Sequence, residues 1–410
     1  MKFRTLFGWL LFILSALLWQ SFSPDWGFFG HRRINKLAVF TLPADLIGIY
    51  KKNINFITEH AVDPDKRRYA SKFEAIRHYI DIDHWGAPPF NEVPRKWLDC
   101  MMVYTDLYLI NDKQDSIKIF DNNISILSQD SIQAFDESQI SMNAYKELFV
   151  EHVMPTYYDD DRALESCALV SNLLPAGLKN CVKIGIEDRF SEYGILPYHL
   201  LKMQNQLTKA FETKNLNRVL RLSAEMGHYI GDAHVPLHTT ENYNGQMTNQ
   251  LGIHAFWDSR IPELFADREY EYFVGQAIYI EEPRSYFWKI VLDSHDLLDE
   301  VLANEKKLSE EFPEDQQFCF DDRAESTVKT QCEAYAKAYE ESMEGMVEDR
   351  MRDAILSIGS CWYTAWVDAG QPSFEELAFS SEQMDEFKKE SGEQNEAYEK
   401  GKILGRKHNN

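Results

Sequence analysis

Positive charge is scarce in this chain. Its 410 residues carry 43 lysines and arginines against 66 aspartates and glutamates, a formal net charge of −23. A duplex-DNA sequence reader needs a Lys/Arg stripe to neutralise phosphates, and that class is excluded. Long apolar runs are missing beyond the N-terminus, where no stretch approaches the ~18 residues of a spanning helix. No period of 20–50 residues recurs, so a solenoid is excluded as well. The six cysteines fit no zinc-knuckle spacing. No convincing Ser-His-Asp or Cys-His order offers a protein nucleophile. Core-forming residues are plentiful: 44% of the chain is apolar and 13% aromatic. Wholesale disorder is therefore out.

The N-terminus reads as a targeting segment. Lys2 and Arg4 precede an apolar run from Thr5 to Trp19, and Ser21-Phe22-Ser23 offers small residues for cleavage. A run of about 15 residues is too short to span a bilayer and fits a secretory signal over residues 1–25. The expected location is secreted or periplasmic, with an uncleaved membrane anchor as the alternative. Export permits disulfides. Cys167 with Cys181 and Cys319 with Cys332 are the near pairs, and buried thiols are the other reading.

Helical periodicity dominates the rest. Arg32–Thr41, Lys72–Ile82, a long region opened by Pro197 and stopped by Pro236, Phe287–Lys307 and Ala334–Val367 all predict helix. The expected fold is all-α, a single large helical domain over 26–375. Residues 100–195 form an irregular insertion, with strand-like alternation at Ser116–Ile126. From about 376 to 410 the chain turns polar and is expected to be a solvated tail.

The chemistry lies in histidines and aspartates. His228 and Asp232 stand four apart, on one face of a helix. His238 follows just past Pro236. His254 and Asp258 repeat the spacing of four. Upstream stand Asp63, then His78 fifteen residues on, and the stretch Trp26-Gly-Phe-Phe-Gly-His31. A single His-xxx-Asp pair is most often a satisfied structural pair. Several such sets together, free of cysteine and rich in carboxylate, suit zinc sites that keep positions open.

Together these motifs resemble the secreted zinc phosphodiesterases that join the single-strand-specific nucleases (S-one/P-one type) with bacterial zinc phospholipase C. The resemblance covers residues 26–258 and implies a mainly helical fold of that type holding three Zn²⁺ ions. It implies that Asp63, His78, His228 and Asp232 hold one zinc, and His238, His254 and Asp258 a second. Trp26 and His31 would hold the third, with Asp232 bridging and Trp26 serving through the terminal amine of a mature chain. A hydroxide shared by two zinc ions would attack phosphorus in line, making Asp63 and Asp232 catalytic. Three Zn²⁺ would also let an acidic protein grip a polyanion. By the same resemblance Lys66 matches a basic residue that stabilises the transition state. Tyr79 and Asp81 match residues that stack and hydrogen-bond a base. The nuclease pattern has an Asn two residues before the histidine of the last motif; here that position is Gly252, and Asn249 or Asn244 is the substitute. Lys66 as a solvated cation and Tyr79 as core are the bland alternatives. The expected activity is hydrolysis of phosphodiester bonds in single-stranded nucleic acid or nucleotides. Phospholipid cleavage is the alternative, and a non-catalytic helical module with structural zinc the second.

Overall fold

The computed structural model describes residues 27–404 apart from 161, 172, 174–180, 324–325 and 402. The expected signal segment 1–25 and Trp26 lie outside the described residues.

The protein is mostly helical, with small sheets confined to two excursions. Four helices build the part of the core that carries the site: α1 (Gly27–Ala38), α3 (Leu196–Glu212), α4 (Leu216–Ala233) and α8 (Met346–Asp368). In α3, Leu200, Met203, Leu207, Ala210 and Phe211 recur at helical spacing and are all buried. Pro197 sits in its first turn, where the missing N–H costs nothing. The chain turns at Thr213–Asn215. Asn215 then caps α4 by accepting from the Arg218 N–H at 3.1 Å. Trp362 of α8 ties to α4 by donating to the Ser223 carbonyl at 3.1 Å.

Glycine permits a close helix contact. A Cβ at Gly231 would lie 2.7 Å from Ile34 Cδ1 and 2.9 Å from His31 Nδ1. Only at a glycine can α1 lie against α4 this closely. Asn35 locks the pair, its amide donating to the Ala224 carbonyl at 2.9 Å.

Several expected helices are shorter than their periodicity. Lys72–Ile82 holds only a 3₁₀ turn at Ala75–Arg77, because the backbone there leaves to pair elsewhere: Ile80 N–H donates to the His238 carbonyl and Asp81 N–H to the Tyr193 carbonyl. Phe287–Lys307 breaks into α5 (Pro283–His295) and α6 (Leu298–Glu311). Ala334–Val367 breaks at Gly345, φ 89°, into α7 (Glu333–Ser342) and α8.

The all-α expectation holds for the core and fails for the insertion. Between 100 and 195 a four-stranded antiparallel sheet forms in the order β2-β1-β6-β5. Its strands are β1 (Thr105–Asn111), β2 (Ser116–Lys118), β5 (Ala163–Leu164) and β6 (Cys181–Asp188), while β3 (Ser131–Gln133) and β4 (Gln139–Ser141) make a separate hairpin. The expected strand at Ser116 is present; Ile124–Ser128 is a 3₁₀ turn instead. A last hairpin pairs β7 (Phe318–Arg323) with β8 (Ser326–Gln331).

Cys167–Cys181 and Cys319–Cys332 form disulfides, which suggests an oxidising, extracellular setting. Cys100 and Cys361 are buried thiols. Among the described residues no helix is long and apolar enough to cross a membrane.

The polar C-terminal stretch is not simply solvated. Ser381–Glu399 forms helix α9. Phe387 is buried on its inner face against Phe56 and His60, and Tyr398 meets Phe28 and Tyr69. Glu390 pairs with Arg221 of α4 at 2.7 Å. Two aromatic anchors and one ion pair suffice to dock a helix whose other faces are charged.

Candidate metal centre

Three groups of side chains lie close enough for each to hold a metal ion: His31, Asp65 and His228; His78, His228 and Asp232; and His238, His254 and Asp258. They come from six places in the fold. His31 is on α1. Asp65 is on α2 (Asp63–Arg67), a single helical turn. His78 follows the 3₁₀ turn at Ala75–Arg77. His228 and Asp232 project from α4 one turn apart. His238 sits in the 3₁₀ turn Pro236–Thr239. His254 and Asp258 span a short helix, Ile253–Ala255, and the π turn Phe256–Arg260. That last segment rests on a second apolar cluster of Leu237, Phe256, Trp257 and Ile261 with Val301, Tyr335 and Tyr339.

The distances fit metal ligation. Around a tetrahedral zinc with donors at about 2.05 Å, neighbouring donor atoms stand about 3.3 Å apart. His228 Nε2 lies 3.1 Å from His78 Nδ1 and 3.3 Å from Asp232 Oδ2. Asp65 Oδ1 completes that set at 3.7 and 3.8 Å from the two imidazoles. In the other group His254 Nε2 lies 2.8 Å from His238 Nε2, and Asp258 Oδ2 is 3.4 and 3.7 Å from the two rings.

Outer hydrogen bonds point the rings inward. His228 Nδ1 bonds the Ala61 carbonyl at 2.9 Å, and His238 Nδ1 bonds the His78 carbonyl at 2.6 Å. A carbonyl only accepts, so each Nδ1 carries the proton and each Nε2 is left as the donor atom for a cation. Asp232 presents its two oxygens to different partners. Oδ2 faces His78 and His228, while Oδ1 lies 3.4 Å from His31 Nε2.

Burial and mutual contact shift the titration of these groups. Burial pushes the His228 imidazole down to about 3, with the neighbouring His31 adding to the effect; the ring is neutral at physiological pH. Burial opposes ionisation of Asp232, but the histidines around it win and hold its carboxyl well below the usual range. Asp65 is likewise lowered, burial being outweighed by His228, His78 and His31. Burial alone would lower His78; the neighbouring Asp232 and Glu74 carboxylates overcome it and raise the ring to about 9. In all, buried imidazoles and carboxylates face one another, with Arg68 and Glu74 as further charges beside Asp65 and His78. His31 Nδ1 and His78 Nε2 also lack a hydrogen-bond partner among the described residues.

The structure brings together His31, His78, His228, Asp232, His238, His254 and Asp258 of the residues named from the sequence. Asp63 stands apart from them. That carboxylate is buried but turned aside, its Oδ2 bonding His60 Nδ1 at 2.6 Å and its Oδ1 lying 3.7 Å from Lys66. Two residues along a helical turn point to opposite sides, and Asp65 takes the inward place. The same shift brings Arg68, rather than Lys66, beside the cluster: its guanidinium is buried, 3.6 Å from Asp65 Oδ1. Both Asp63/Lys66 and Asp65/Arg68 are acid–base pairs spaced by three, so spacing alone could not choose. Sequence reasoning missed Asp65 and Arg68 for that reason.

The expected substrate contacts are placed less tightly. Tyr79 is buried, its hydroxyl donating to the Glu192 carbonyl at 2.9 Å. Asp81 is buried beside Tyr193. Asn249 lies exposed on a turn at φ 60°, whereas Asn244 is buried and accepts from the Gly252 N–H at 3.1 Å. A cavity of about 60 Å³ adjoins the centre, and its lining includes His31, Asp232, Asp258, Ile34, Trp257 and Met351.

No family model matches this chain, and no curated protein matches it.

Proposed function

We propose that this chain is an exported zinc phosphodiesterase that hydrolyses single-stranded nucleic acid or nucleotides. One observation carries the reading: separate segments converge so that one carboxylate, Asp232, turns its two oxygens to different imidazoles. Asp65, His78, His228 and Asp232 would hold one ion, and His238, His254 and Asp258 a second. His31 with the other oxygen of Asp232 would hold a third, Trp26 completing it in the reading from resemblance. Zinc bound there supplies Lewis acidity toward phosphoryl oxygens and lowers the pKa of a bound water toward 7.

The chain's own residues do the rest. The Ala61 and His78 carbonyls hold His228 and His238 in the tautomer that ligates. Asp65, Asp232 and Asp258 offset part of the cationic charge, so the field at the centre attracts an anion without trapping it. Arg68 is the nearby cation placed to steady charge on phosphate. Ile34, Trp257 and Met351 give the adjoining cavity part of an apolar lining.

A phospholipase C activity is the second reading, and one feature favours it. Met247 and Leu251 are 69% and 71% exposed on the turn that leads into His254. Apolar side chains held out beside a phosphodiesterase centre suit contact with lipid. Assaying single-stranded DNA, RNA, 3′-nucleotides and phosphatidylcholine side by side decides between them. Nucleic acid or nucleotide cleavage is expected; lipid cleavage alone refutes the nuclease reading.

A further inference from the structure

Helix α9 reaches the turn that carries Asp65. It is entered beside α4, where the Asn217 amide donates to the Ser380 carbonyl at 3.0 Å. Its Phe387 ring lies 5.5 Å from Phe56 and 4.8 Å from His60, centroid to centroid, with the Arg221 guanidinium 4.9 Å from its own centroid. Its last turn sets Tyr398 at 5.8 Å from the Phe28 ring of α1 and at 5.0 Å from Tyr69, just past α2. Beyond the helix, the Leu404 N–H donates to the Arg68 carbonyl at 3.0 Å.

Both ends of α2 are thereby held from α9. At the first end the hold passes through His60, whose ring meets Phe387 and whose Nδ1 lies 2.6 Å from Asp63 Oδ2. At the other end it is direct, on Arg68 and Tyr69. A third link runs through charge. Glu390 accepts from Arg221 at 2.7 Å, and Glu225 accepts from both Arg221 and Arg67 at 3.0 Å. Arg67 belongs to α2. A single helical turn makes too few hydrogen bonds of its own to fix which way it faces. Asp63 and Asp65 stand two apart and point to opposite sides, so the facing of α2 decides which carboxylate meets the imidazoles.

We infer that α9 is a positioning strap: through Phe387 and Tyr398 it holds α2 with Asp65 toward His78 and His228 and with Asp63 away from them. Phe387 keeps His60 in the place where it takes up Asp63. Tyr398 and Leu404 keep the far end of the turn from rotating. When the strap is loosened, Asp63 is a buried carboxylate that loses its nearest partner, which is costly, and the imidazoles across the turn are the alternative. The inference deepens the metal reading and rests on it for its consequence; the hold on α2 is read in metal-free protein.

The test compares full-length proteins that differ in the strap. Phe387→Ala/Tyr398→Ala removes both rings, and Phe387→Tyr/Tyr398→Phe keeps them. Hydrogen–deuterium exchange of the metal-free proteins reads the hold. In the double alanine variant, residues 63–69 are expected to lose protection by about tenfold or more while α4 keeps its own. The variant that keeps the rings is expected to match the wild type. Zinc affinity by chelator competition reads the facing. In the wild-type background Asp65→Asn is expected to cost the His78–His228 site at least about tenfold more than Asp63→Asn; in the double alanine background the two losses are expected to agree within about threefold. The His238–His254–Asp258 site keeps its affinity throughout. Unaltered exchange over 63–69, an equal loss across α4, or a gap between the two aspartates that persists in the double alanine background overturns the inference. A wild type that takes up no zinc, with exchange loosened at 63–69 alone in the double alanine variant, defeats the metal reading and leaves the hold of α9 on α2 standing.

Discussion

His228 and His78 meet Nε2 to Nδ1 at 3.1 Å, deep in the protein, with the outer nitrogen of His228 bound to the Ala61 carbonyl. Two imidazoles at that distance share either a proton or a cation. Asp232 and Asp65 lie beside them, and the imidazoles and carboxylates together could hold a metal ion.

The two aspartates of α2 separate the sequence pattern from the geometry. Asp65→Asn is expected to weaken zinc binding at the His78–His228 site by more than ~100-fold, beyond the usual loss for an outer-shell residue, with hydrolysis falling in parallel. Asp63→Asn is expected to keep both within about tenfold. It should instead cost about 1–3 kcal/mol of stability, because the Lys66 and His60 contacts are weakened. Titrating each variant with zinc under a competing chelator reads the difference; the reverse order would restore Asp63 as the ligand.

Gly231 can be tested through its neighbour. The added methyl group of Gly231→Ala meets Ile34 and His31, and overpacking of this kind costs about 1–3 kcal/mol. His31 must shift away from Asp232, so one zinc equivalent should bind more weakly while the His238–His254–Asp258 site keeps its affinity. Stoichiometry and thermal unfolding of the variant check both parts.

How far this was visible beforehand follows from the kind of spacing involved. His228/Asp232 and His254/Asp258 are pairs at one helical turn, which periodicity reveals directly, and Pro236 marks the bend that returns His238. Asp65 was hidden because α2 is one turn long and starts Asp-Pro-Asp, leaving no apolar stripe to tell which carboxylate faces inward. The insertion was misread because β1 pairs with β6, about 70 residues away, and no local pattern encodes such a partner. In the C-terminal stretch, Phe387 and Tyr398 are too sparse to signal a buried face. Arg67, Glu74 and Glu225 look like ordinary surface charges in the sequence, and only the fold buries them together.

Docking of α9 has its own signature. Phe387→Ala removes the ring packed on Phe56 and His60 and is expected to cost about 2 kcal/mol, the usual scale for an aromatic side chain returned to water. Limited proteolysis should then cut within 381–399 well before the helical core. Unchanged stability together with unchanged protection would mean that the helix does not dock through this residue.

Acid stability should carry the mark of His199. Burial, reinforced by the nearby Arg77, holds its imidazole well below the ordinary value. The unfolded chain takes up a proton near pH 6.5 that the folded chain refuses. Its contribution to stability is therefore complete above that pH and is lost as pH falls below it, by at most about 1.4 kcal/mol per unit. Denaturant unfolding between pH 7.5 and 5 should show a shallower decline in His199→Gln than in the wild type. Parallel declines would mean that His199 is protonated in the folded protein.

The central claim concerns metal occupancy, and elemental analysis of the purified protein after dialysis against zinc-containing and then zinc-free buffer addresses it most directly. Three zinc ions per chain are predicted, retained through dialysis and removed by a strong chelator with loss of phosphodiester hydrolysis. One ion or none per folded chain would contradict the account.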